Sequence, residues 1–201
     1  MQYKTNRNQF QDIDISFAFM TGFLLLGVIF GTLSYCFMSE GTVELLSKAT
    51  KGYIDFRKSS DFGHILIDSF LVSSLFIGIE FIFGLSALGQ LPELFVLLYR
   101  GSGLGIILSQ AYDSIDKSKL VLVILLIVPS CIVSCYALCV AAKEAVRMSG
   151  RLLRLMAVNR PVLGLLDHFK NYSAIFAAIE AMAAVSAALD CILSLTLASK
   201  I

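Results

Sequence analysis

The chain has 201 residues, 57% of them hydrophobic and 15% charged, with a net charge of +1 and a mean hydropathy of +0.81. Soluble domains carry roughly 25% charged residues, and a chain this small cannot hide so large an apolar excess from water, so lipid is the expected solvent. The near-neutral balance gives no field for nucleic acid, two histidines make a multi-histidine metal site unexpected, and the five cysteines have no disulfide-framework spacing.

A spanning helix needs about 20 mostly apolar residues, and five stretches qualify. Residues 1–14 are polar, and the first apolar run, 17–37, carries no charge. It is too long for the core of a cleaved leader and is expected to stay as a membrane anchor. Within it, Gly27 and Gly31 form a GxxxG pair, which lets another backbone approach closely where lipid supplies no hydrophobic drive. The partner is either another helix of the same chain or a second copy in a homo-oligomer.

Residues 38–63 carry charges of both signs. Val43, Leu46, Thr50 and Tyr53 recur at helical spacing and give this loop one apolar face. Leu46 and Tyr53 are candidate anchors for a partner, with Glu44, Lys48, Lys51 and Arg57 setting register around them. The second span, 65–84, has Asp68 near its start and Glu80 near its end. The short turn 85–90 makes it an antiparallel hairpin with the third span, 91–112.

That third span contains the most unusual stretch, Pro92-Glu93 through Arg100-Gly101-Ser102-Gly103-Leu104-Gly105. Alternating glycines weaken the helix or serve close packing, with Gly101 and Gly105 as packing positions. Arg100 is expected to face the bundle interior and meet Glu80, Glu180 or Glu93, directly or through water. Intramembrane charges are costly, so this is either a polar site or an ion pair that fixes the bundle's register.

The fourth span, 120–142, includes Pro129, an expected kink, and Cys131, Cys135 and Cys139 on one face, expected to pack rather than bind a metal. Residues 143–171 are the most basic segment, with Arg147, Arg151 and Arg154 on one helical face. It reads as an amphipathic helix at a lipid surface or as an extension of the fourth span, ended near Arg160-Pro161. The fifth span, 172–198, holds Glu180 and Asp190, roughly 80° apart around the axis. Its small-residue stripe, Ala177, Ala181, Ala184 and Ala188, is expected to pack against another helix.

By the positive-inside rule the 143–171 segment, with six basic residues against two in 113–119, is cytoplasmic. Five spans then put the N-terminus in the cytoplasm and the 38–63 loop outside. The expected fold is an all-α polytopic membrane helix bundle forming a single membrane domain. No catalytic motif of the zinc-protease, serine-hydrolase or phosphate-loop type is present, and neither a cofactor nor a metal is expected.

These landmarks resemble the stage II sporulation protein M family. The resemblance is carried by Leu26 to Gly31, by Gly89-x-Leu91-Pro92 opening the third span, by Arg100-Gly101 with Gly105, and by Pro129. One departure is the purely apolar run from Val121 to Val128, where many relatives outside sporulation have a histidine and a glutamate. The resemblance implies a non-enzymatic scaffold of the bacterial cell membrane. Its implied partners are the wall-degrading stage II sporulation proteins D and P, held at the septum during engulfment. The alternative, from the residues alone, is a small transporter or channel subunit with a polar site around Arg100.

Overall fold

The computed structural model describes residues 2–59, 61–114, 117–158 and 165–197. They form six helices and no strand: α1 (Gln2–Cys36), α2 (Glu40–Ser59), α3 (Phe62–Gly84), α4 (Gln90–Ser114), α5 (Lys117–Val158) and α6 (Leu165–Leu197). All but α2 contain a stretch long and apolar enough to cross a bilayer: Ser16–Cys36, Phe62–Gly84, Gln90–Asp113, Leu120–Met156 and Leu166–Thr196. The chain is a multi-pass membrane protein of five spans.

The distribution of side chains fits that solvent. Large apolar residues such as Phe19, Leu26, Phe30, Leu71 and Leu75 point outward, while the interior takes alanines, serines and carboxylates. In lipid the outside needs no polar cover, and small residues inside let helices approach.

Contacts between helices give their directions. On α1 and α4, Gly27 lies against Leu98, and Gly31 against Ser102. Both numbers rise together, so these helices are parallel. On α3 and α5, Ser73 meets Ser134 and Gly84 meets Ala145, again parallel. On α3 and α6 the order reverses, with Ser69 at Asp190 and Phe81 at Tyr172. Parallel first and third spans, parallel second and fourth, and an antiparallel fifth are what strict alternation across a membrane requires.

The α1–α4 seam is built from four buried glycines. A Cβ on Gly27 or Gly31 would strike the Leu98 or Ser102 carbonyl, and one on Gly101 or Gly105 would strike the Leu24 or Val28 carbonyl. The GxxxG pair of α1 is therefore answered by Gly101 and Gly105 of α4 within one chain. Of the two partners left open by the sequence, the intrachain helix is the one found, and the face is closed to a second copy.

The first span, Ser16–Cys36, matches the expected apolar run, and its helix extends back to Gln2. Of the two readings of segment 143–171, the extension of the fourth span is the one found: α5 continues unbroken to Val158 over 42 residues, with Pro129 inside it, and α6 starts at Leu165. At 1.5 Å per residue α5 is roughly 63 Å long, twice the hydrocarbon thickness. Arg160-Pro161 lies outside the described residues. Along α5, Arg147 pairs with Glu144 at 2.9 Å, whereas Arg151 and Arg154 are exposed. The expected alanine stripe needs correction: Ala177, Ala181 and Ala184 face outward and Ala188 is half-buried, while Ala183, packed with Ile179 and Phe176, and Ala187 are the buried alanines. Alanines occur on several faces of that helix, so their spacing alone cannot select one.

At one end of the bundle the α3–α4 turn packs on α5. Gly89 is needed there, because a Cβ would collide with the Phe83 carbonyl oxygen. The Ala87 carbonyl accepts a hydrogen bond from Ser149 at 3.3 Å, and the Tyr172 hydroxyl donates to the Phe81 carbonyl at 3.0 Å. At the opposite end α2 lies on α4 and α6.

Candidate functional site, a polar cavity beneath the amphipathic helix

Helix α2 turns its periodic face inward. Val43, Leu46 and Thr50 are half-buried on this face, Tyr53 lies on it, and its next helical position is Arg57, which is 5% exposed. The Arg57 guanidinium enters the bundle and pairs with Asp190 of α6 at 2.5 Å. It also donates to Ser194 at 2.5 Å and to Ser69 of α3 at 3.2 Å.

The Asp190 carboxylate is well supplied with donors. Besides Arg57, it accepts from the Ser69 hydroxyl, and its other oxygen accepts from Ser130 of α5 at 3.3 Å. Ser130 is itself fixed by Ser186, which donates to its carbonyl at 2.8 Å. The result joins α2, α3, α5 and α6 through one ion pair. A buried pair recovers its desolvation cost when further hydrogen bonds saturate it, which these serines do.

The Tyr53 ring lies under the guanidinium, 4.4 Å from its carbon. Burial opposes the Arg57 charge, but the Asp190 hydrogen bond and the charges of Tyr53 and Asp190 outweigh it and hold Arg57 above its ordinary range. Burial raises the Tyr53 phenol, and Arg57 offsets part of that rise. Both groups therefore keep one protonation state through the physiological range.

Beside this pair is a cavity of about 370 Å³, enclosed by α2 to α6. Its charged lining is Arg57, Asp68, Arg100 and Asp190, and its apolar lining includes Leu46, Leu104 and Leu126. Arg100 faces it as expected, but not with the expected partners. Its guanidinium lies over the Phe76 ring at 5.2 Å, its Nε is buried without a hydrogen bond, and no ion pair to it is formed among the described residues.

The carboxylates proposed for Arg100 lie elsewhere. Glu80 and Glu93 are both 0% exposed and near enough for their charges to interact, and neither carboxylate has a hydrogen-bond partner. Glu180 accepts from Ser74 at 3.1 Å through one oxygen, and its other oxygen is unpartnered. Of the five intramembrane charges singled out by sequence, the structure brings Arg100 and Asp190 to one cavity. Glu80 and Glu93 form a second buried pair, and Glu180 stands apart from both.

Two residues of this site were missed. Arg57 was assigned to the rim of α2, although 43, 46, 50, 53 and 57 continue one face and could have placed it inside. Asp68 carried no signal beyond its position near a span end. Leu46 and Tyr53, candidate partner anchors, line the chain's own cavity. Of the three cysteines of α5, Cys135 and Cys139 belong to an apolar cluster and Cys131 lines the cavity; among the described residues no group of histidine, cysteine and carboxylate side chains could hold a metal ion.

Comparison with known proteins returns no match: no family model, no curated protein and no solved structure is significantly similar to this chain.

Proposed function

We propose that this protein is a non-enzymatic scaffold of the bacterial cell membrane that recruits and localises peptidoglycan-degrading enzymes during sporulation engulfment. The reading draws on the resemblance of Leu26 to Gly31, Gly89 to Pro92, Arg100-Gly101 with Gly105, and Pro129 to the stage II sporulation protein M family. By that resemblance the partners are the stage II sporulation proteins D and P. The charge bias puts the Arg151 end in the cytoplasm and α2 outside, on the side of the cell wall.

The observation that carries it is the state of α2. This 20-residue helix outside the spans is locked to the bundle through Arg57 and Asp190, and it presents Leu45 (68% exposed) and Phe56 (42% exposed) outward. These lie eleven positions apart, on one helical face. A rigid helix with an aromatic and an aliphatic anchor suits a protein-docking element, since aromatic side chains dominate such contacts. Leu45→Glu with Phe56→Glu should abolish co-purification of wall hydrolases from membranes while leaving insertion intact. Unchanged co-purification removes α2 as the docking element.

The second reading, a small transporter or channel subunit, is favoured by the cavity around Arg100. Flux through reconstituted liposomes tests it.

A further inference from the structure

The lipid-facing side of the bundle carries a second hollow. Between α3 and α4 runs an apolar groove of about 540 Å³, lined by Leu75, Ile79, Phe83, Phe95 and Tyr99 among others. It lies next to the polar cavity, with one ring between them. Phe76 lines the groove, and the Arg100 guanidinium, which lines the cavity, lies over that ring.

Charge is uneven across this double site. Arg57 and Asp190 neutralise each other, and their hydrogen bonds are saturated. Asp68 is exposed at the rim. Arg100 is the cation of the cavity that meets no carboxylate among the described residues, and its Nε–H is buried and unused. A guanidinium in that position matches a phosphate or carboxylate, and an unsatisfied buried donor is costly unless a ligand or water meets it. The cavity is at the lower end of the size range of ligand pockets, about 300–1,000 Å³, so the head it takes is small. The groove next to it takes a hydrocarbon chain.

We infer that the cavity and the groove together form a binding site for one anionic phospholipid, its phosphate at Arg100 and an acyl chain between α3 and α4. Neither half alone specifies this ligand. A free anion would leave the groove empty, and the cationic group of a zwitterionic lipid would meet no free carboxylate inside the cavity, since Asp190 is taken by Arg57 and Asp68 is exposed at the rim. The chain leaves the head past Phe76 and runs along the α3–α4 hairpin. The head stays under α2, which covers the cavity with Tyr53 and Leu46. The site is one of binding and does not depend on the scaffold reading.

The test is native mass spectrometry of the full chain released from detergent. It is titrated separately with phosphatidylglycerol, phosphatidylcholine of the same chains, and inorganic phosphate. One phosphatidylglycerol should be retained, with phosphatidylcholine and inorganic phosphate each about tenfold weaker or more. Arg100→Gln should weaken phosphatidylglycerol by about tenfold without changing phosphatidylcholine. Ile79→Trp, which fills the groove and leaves Arg100 in place, should weaken it as well and keeps the test open if R100Q does not fold. Equal retention of the two lipids overturns the proposal. So does inorganic phosphate binding as well as the lipid, or retention unaffected by I79W.

Discussion

A single arginine decides how α2 is held. Arg57 brings its charge into a region where an unpaired ion is expensive, and Asp190 with three serines makes that tolerable. Removing one member leaves the other buried and uncompensated, a loss of about 3–5 kcal/mol. Asp190→Ala is therefore expected to lower the unfolding midpoint strongly. The double variant Arg57→Met, Asp190→Leu should recover most of that loss, because apolar isosteres replace a buried pair at little cost. Reversible unfolding in detergent measures both, and a double variant as weak as D190A would show that the ion pair itself, not its completeness, carries the stability. At this scale the sequence was partly legible. It marked Asp190 and Arg100 as costly and therefore used, but helical spacing cannot say which helix lies opposite. Among the described residues Arg100 makes no direct ion pair with Glu80, Glu93 or Glu180.

Among the elements, the α1–α4 seam depends most on backbone. Gly31→Ala would put a methyl group onto the backbone of Ser102, which cannot move away as a flexible side chain would. Forcing that contact should cost about 1–3 kcal/mol, the usual range for overpacking. Gly22→Ala on the same helix has nothing within 4 Å of the new Cβ. It should be neutral or stabilising by up to about 1 kcal/mol, because alanine favours helix. Thermal unfolding of the two variants separates the steric effect from helix propensity, and equal midpoints would remove the seam as a cause. The GxxxG signature made one half of this seam readable. The answering glycines of α4, Gly101 and Gly105, were equally visible as packing positions, but not the helix they would meet, because that depends on which spans are neighbours. The end of α5 was not readable, because a basic amphipathic stretch has the same composition whether it continues a helix or lies flat on lipid.

For the whole molecule, five spans follow from counting apolar runs, and the contacts repeat that alternation. Parallel pairing of α1 with α4 and of α3 with α5 is what alternate crossings of a membrane require. The proposed orientation, with the basic end of α5 in the cytoplasm, predicts that Arg151→Cys in a variant lacking the five native cysteines resists an impermeant thiol reagent in intact cells. A cysteine at Lys48, exposed on α2, should react. The reverse pattern would invert the bundle. What no pattern in the sequence could supply is the cavity, which is space left between five helices and not a property of any one of them.

The Arg57–Asp190 pair also has a consequence in time. The two residues are separated by 133 positions, so a ribosome that has delivered α2 must still make α3, α4, α5 and most of α6 before Asp190 exists. Throughout that interval α2 has its cation and lacks its acceptor. The helix therefore cannot take its final seat on the bundle until the last span has entered the membrane. Seating of α2 in effect reports that α6 has arrived, so the last of the described helices to be made is the clasp for the second.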